Sequence, residues 1–234
     1  MKFIFLGILI GLSIFWVLWN ASLSRFWRKL EARPASQFPV WRHVRDLLLS
    51  EAHRCRVQLS PVLWILPDFA PNALVARSGN KIHIALTEGL LRALDRDELR
   101  AVLSLCLSHG GGHRRRAQTA IALQLFPFAS WLQSYPVILQ ILLSPWIVAL
   151  NRIFGSPRRV LVADAKAGRS LKAAEALRKM SVLGRKIPLK HWNFALDSLF
   201  LISPLRLDGG PFWVFLSQPP VEERMNALMA DRQY

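Results

Sequence analysis

Apolar residues fall along this chain in two long blocks and several short patterned runs. The first block is "KFIFLGILIGLSIFWVLW", Lys2 to Trp19, close to the ~20 apolar residues that a bilayer-spanning helix needs. A signal peptide is the competing reading, but it wants a more basic start, a shorter run and a small-residue cleavage site. Only Lys2 precedes this run, and Arg25, Arg28, Lys29 and Arg33 follow it. Such a basic block stays cytoplasmic, so residues 1–20 are expected to form an anchor. The second block fills residues 117–154, with Arg114, Arg115 and Arg116 before it and Arg152, Arg158 and Arg159 around its end. Positive charge at both ends puts both on one side, so the segment is expected to enter and return. It is shorter than two full spans, and Pro127, Pro136 and Pro145 interrupt it. A re-entrant hairpin, two short tilted spans and a buried core hairpin all satisfy that pattern.

Between the blocks the patterns are those of a soluble domain. Trp41 to Glu51 is amphipathic, with Val44, Leu47 and Leu48 on one side. Val62 to Leu66 is a short apolar strand. Ala73–Arg77 and Lys81–Leu86 flank a "SGN" turn and predict a hairpin. Thr87 caps a short helix, "EGLLRAL", and Asp95 with Glu98 three residues later forms a capping box. The helix this box opens is apolar on nearly every face from Leu99 to Leu107, which predicts a central, buried element. Beyond the second block, Arg158 to Met180 reads as a helix broken near Gly168. "GRKIPLKH" and "RLDGGP" read as loops, "ALDSLFLISPL" as a short apolar element, and "PPVEERMNALMADR" as a final helix.

Composition narrows the partners. A net charge of +16 calls for an anionic surface, and its crowding beside the apolar blocks favours lipid. No nucleic-acid module is present, so nucleic acid is not an expected partner. Cys55 and Cys106 make no disulfide framework. Gly7 and Gly11 form a GxxxG pair that could bring two anchors together as a homo-oligomer.

The order of motifs resembles the HtpX-like family of membrane-bound zinc metallopeptidases, of the gluzincin type, over Pro61 to Arg224. "PNALVA", "TEGLL", "DELRAVL", "VADAKA", "LFLISPL" and "QPPVEER" follow one another as the family's motifs do, around an apolar hairpin in the same place. The resemblance implies an α+β fold: a gluzincin-like domain with a small antiparallel sheet and central helices, plus an N-terminal transmembrane helix and an inserted membrane hairpin. The parts would be the anchor (1–20), the first part of the domain (21–116), the hairpin (117–154) and a helical remainder (155–234). It also implies a zinc site built on His-Glu-x-x-His, in which two His one turn apart hold zinc and the Glu activates a bound water. By that resemblance Leu105 stands at the first His, Cys106 at the Glu, His109 at the second His and Val160 at the third ligand, a Glu. Asp164 is retained, Gln218 stands at a usual His, and Arg224 closes the motif. One of three ligands remains, and the general base is gone.

Leucine and valine offer no lone pair, whereas a catalytic zinc needs three protein ligands. Apolar replacements suit a site that has lost its metal, because unpaired polar groups there would be costly. The expectation is a pseudopeptidase without a cofactor. It would bind unfolded or membrane-protein peptides, or regulate an active protease, through Asn72, Ala73, Leu74 and Val75 at the sheet edge. Two alternatives stand beside it. One is an active metal-dependent endopeptidase with zinc relocated to Cys106, His109, His113 and Asp164, the first three at i, i+3 and i+7. The other is an architectural protein whose basic face binds anionic membrane lipids. In each case the expected location is a bacterial plasma (inner) membrane, with the main domain cytoplasmic.

Overall fold

The computed structural model describes residues 23–132, 156–204 and 218–229, apart from 169 and 191, with isolated positions at 7, 11, 134 and 149. The expected anchor, the hairpin beyond residue 132 and the "RLDGGP" loop lie outside the described residues. Among the described residues no helix is long and apolar enough to cross a membrane.

Four strands form one sheet: β1 (Arg33–Pro34), β2 (Ser60–Leu66), β3 (Ala73–Ser78) and β4 (Lys81–Thr87), in the order β1-β2-β4-β3. β3 and β4 are the expected hairpin, and Gly79 takes φ +55° in its turn. The antiparallel sheet expected from sequence is corrected here, since β2 and β4 run parallel. The reason is topological: after β2 the chain goes first to the edge as β3, then turns back, and β4 enters between them in the direction of β2. Both faces of the sheet are covered. Ala73 and Val75 feed one core and Leu74 and Ala76 the other, the period-two alternation of a strand.

The helices follow their caps and stripes. α1, described over residues 23–29, packs Phe26 and Trp27 on one sheet face. α2 (Arg42–Arg54) buries Val44, Leu47 and Leu48 as the pattern predicts. α3 (Glu88–Ala93) is capped by the Thr87 side chain, which accepts from the Leu90 N–H. α4 (Arg96–Gly111) opens on the Asp95–Glu98 capping box and is the buried central helix. α5 (His113–Leu132) begins four residues ahead of the apolar block and turns Ala122, Leu123 and Phe126 onto the α1 face of the sheet. Gly168, with φ +92°, divides the next stretch into α6 (Pro157–Ala167) and α7 (Leu171–Lys186). α7 extends past the expected end at Met180, so "GRK" belongs to its last turn and only the rest of "GRKIPLKH" is loop. A glycine that near a helix end costs little. A 3-10 turn (Asp197–Leu199) and α8 (Val221–Met229) complete the described chain.

Two expected results test this packing. A Cβ added at Gly110 would lie 2.5 Å from Ile82 Cγ2, so α4 meets β4 where only hydrogen fits, while Gly111 has open space. Gly110→Ala should cost about 1–3 kcal/mol in a denaturant melt, and Gly111→Ala should be neutral or stabilising. Equal effects would contradict the close approach.

The second concerns His83 on β4, whose Nδ1 accepts from Trp64 Nε1 at 3.2 Å. Burial, with help from Lys81, pushes its pKa down to about 4. The unfolded chain takes up this proton first as pH falls below about 6.5. Stability from the neutral ring is therefore full above that value and declines toward about pH 4, by roughly 3 kcal/mol. Thermal melts from pH 7.5 to 4.5 should fall accordingly, and His83→Gln should flatten the decline. An unchanged slope in that variant would contradict the assignment.

Candidate functional site

α4 carries the positions that the sequence singles out. Leu105 and Cys106 are both 0% exposed, within the main apolar core. Burial pushes the Cys106 thiol up to about 12, so it stays protonated and is neither a nucleophile nor a ready ligand at neutral pH. His109 lies one turn after Leu105, and its Nε2 is 2.8 Å from Asp164 Oδ1 on α6. Arg224, on α8, grips the same carboxylate with two nitrogens, Nε to Oδ2 at 2.7 Å and Nη2 to Oδ1 at 2.9 Å. Its Nη1 donates to the Leu201 carbonyl. Three distant helices thus converge on one carboxylate.

The electrostatics are self-contained. Burial raises the Asp164 pKa, but hydrogen bonds from His109 and Arg224 outweigh it and hold the group below the usual carboxylate range. An ionised carboxylate only accepts, so His109 Nε2 carries the proton. Burial pushes the His109 pKa down despite Asp164, which leaves the ring neutral at physiological pH. The net charge of His109, Asp164 and Arg224 is therefore zero, and no counter-ion is required.

Do these residues fit zinc? Leu105 and Val160 have no donor atom, Cys106 is a buried thiol, and His109 Nε2 is committed to Asp164. Among the described residues no three His, Cys, Asp or Glu side chains lie close enough together to hold a metal ion. Of the relocated ligand set, the three described members, Cys106, His109 and Asp164, do not by themselves form a metal-holding group. His113 does not continue the α4 face either, because that helix ends at Gly111 and His113 starts α5 beyond Gly112. The His113 side chain is outside the described residues. The site as built does not suit zinc.

The edge strand is where the sequence puts it, but it is not vacant. Asn72 Nδ2 donates to the Ile202 carbonyl at 2.8 Å, and Asn72 Oδ1 accepts from the N–H of Ile202 and of Ala73. The Leu201 N–H donates to Ala73 O, and Leu74 bridges to Phe200. Val75 O takes two hydrogen bonds from Arg115, and the Arg77 N–H donates to Thr119. Asn72, Ala73, Leu74 and Val75, expected to receive a peptide, are thus covered by the chain's own residues 200–202 and by α5. Gln218 braces the same segment, donating to the carbonyls of Asp197 and Phe200.

Arg115 is the residue that sequence reading missed. Arg114 and Arg116 are exposed, whereas Arg115 is buried and hydrogen-bonds the carbonyls of Val75, Ser198 and Leu199. The basic triplet gave a signal of charge, but not of which arginine turns inward. Beside His109, a cleft of about 930 Å³ opens between α4, the start of α5 and α6. Ser104, Ser108 and Val160 contribute to its wall, and its size suits a small ligand.

No family model matches the chain. Individual proteins do. "Protease HtpX homolog" from Pyrococcus furiosus is 33% identical over 193 residues, covering 72% of this chain and 66% of that protein. The protein of the same name from Syntrophotalea carbinolica is 29% identical over 222 residues, covering 84% and 77%. That from Thermococcus sibiricus is 30% identical over 197 residues, covering 72% and 67%. The chain thus spans about two thirds to three quarters of the length of these relatives. Among solved structures, S. mikatae Ste24p aligns with a TM-score of 0.47 at 16% identity, over 94% of this chain and 56% of that one.

Proposed function

Since this chain belongs to the family of HtpX protease homologues, we propose that it is a membrane-associated, non-cleaving member that acts by binding. The observation that carries this reading is the His109–Asp164–Arg224 network, closed in charge and flanked by Leu105 and Cys106 in an apolar core. A hydrolase of this type needs three ligands, an open coordination position and a base. Here the ligand positions hold a leucine, a valine and a histidine already bound to aspartate. Leu105 also satisfies the packing, filling core space that an unpaired ligand would occupy at a cost.

Binding then falls to the cleft beside His109. A peptide can add to β3 only when residues 200–202 release the edge, since Asn72 and Ala73 are engaged with Ile202 and Leu201. Membrane attachment is supported by the family and by the apolar blocks at 2–19 and 117–154 with their basic flanks.

The test is a cleavage assay on the full chain in detergent, with an unfolded protein substrate and added zinc. The Pyrococcus furiosus protein serves for comparison. No cleavage above buffer is expected from this chain. Zinc-dependent cleavage that disappears in His109→Ala would overturn the proposal.

A further inference from the structure

The cleft is unusual in its charge. Arg56, Arg77, Arg114, Arg115, Arg159 and Lys166 all line it, and no Asp or Glu is among its described lining residues. Asp164 stands behind His109 and is neutralised by Arg224. Two of the lining cations are buried. Arg115 and Arg77 have no carboxylate in ion-pair contact among the described residues, and their guanidinium groups donate to carbonyls and to the Gln118 amide oxygen. Arg77 is 9% exposed and gives Nη1 to the Gly111 carbonyl, while its Nε has no hydrogen-bond partner among the described residues. Leaving a buried guanidinium donor unmade is costly, and so is gathering like charges around one cleft, unless something negative completes the site.

We propose that this cleft binds a phosphate-bearing anion, either the headgroup of an acidic phospholipid or a free phosphate compound. Guanidinium groups present rigid forks that suit the several oxygens of a phosphate, and clustered cations suit a charge that can exceed one. Position favours the headgroup. Ser156 and Arg159, on the cleft wall, directly follow the apolar block 117–154, whose first part, residues 117–132, packs as α5 against the sheet. Where the rest of that block enters a bilayer, the cleft beside its end sits at headgroup depth, and basic residues there attract acidic lipid. The headgroup source rests on the membrane attachment proposed above; the anion site itself does not.

The experiment is a titration of the full chain in neutral detergent micelles, by calorimetry, with three probes: short-chain phosphatidylglycerol, inorganic phosphate and glutarate. Arg56 and Lys166 are exposed on the cleft wall, so Arg56→Gln with Lys166→Gln should leave the fold intact. Arg42→Gln with Arg45→Gln removes the same charge from exposed positions that do not line the cleft. Saturable phosphatidylglycerol binding near one per chain is expected, weakened at least tenfold by the cleft pair and less than twofold by the α2 pair. Saturation by phosphatidylglycerol alone assigns the headgroup; equal saturation by inorganic phosphate assigns a free phosphate compound, and holds even if the membrane reading fails. Three results overturn the proposal: no saturation by either phosphate probe, equal weakening by both variant pairs, or glutarate binding as tightly as phosphate.

Discussion

Asp164→Ala is expected to lower the melting temperature of the detergent-solubilised chain by about 10 °C. The carboxylate is the common acceptor for His109 and Arg224, and it and the guanidinium are essentially unexposed. Removing it leaves a buried cation with one carbonyl partner and a buried imidazole N–H with none of its described partners. Breaking one side of a buried ion pair costs about 3–5 kcal/mol. For a chain of this size each kcal/mol moves the midpoint by roughly 2–4 °C. Because hydrogen bonds hold the Asp164 pKa below its ordinary value, the contribution is present above the unfolded carboxylate pKa and is lost as pH falls through the folded one. Acidification should therefore narrow the gap between parent and variant. A shift under about 2 °C at neutral pH would contradict the view that this network holds α4, α6 and α8 together.

Arg115→Met is expected to cost about 3 kcal/mol and to open the β3 edge. The guanidinium joins α5 to β3 through Val75 O and to the Asp197–Leu199 turn through Ser198 O and Leu199 O. Hydrogen bonds from a charged donor contribute about 1.5–3 kcal/mol each, and carbonyls stranded by its removal add a penalty. Losing a buried cation offsets part of that sum, because burial already disfavours its charge and lowers its pKa to about 10. Amide exchange should rise in residues 73–77 and 199–202 while α2 stays protected. Unchanged protection at the edge would show that Arg115 is not what closes it. In the same variant, peptide addition to β3 should become detectable if residues 200–202 are the barrier.

Local elements were legible in the sequence because their determinants are local. Asp95 and Glu98 announce α4, Thr87 announces α3, and the "SGN" turn announces the hairpin, each within a few residues of the structure it forms. The reading of Leu105 and Val160 as ligand positions and of Cys106 as the base position came through resemblance alone. Two things were not. Parallel pairing of β2 with β4 depends on where β3 goes in between, which alternation of apolar residues does not encode. The covering of β3 depends on residues 42 and 128 positions further along, Thr119 against Arg77 and Leu201 against Ala73. Neither partner has a local pattern that marks it. Arg115 shows the same limit: a run of arginines beside an apolar block reads as membrane flank, and only the helix phase in three dimensions turns one of them inward.

The proposed non-cleaving role stands or falls on the zinc content of the purified full chain, measured by elemental analysis after equilibration with zinc and removal of excess. Far less than one zinc per chain is expected, unchanged by His109→Ala. Stoichiometric zinc that disappears in His109→Ala or Cys106→Ala would contradict it and restore this chain to the catalytic members of its family.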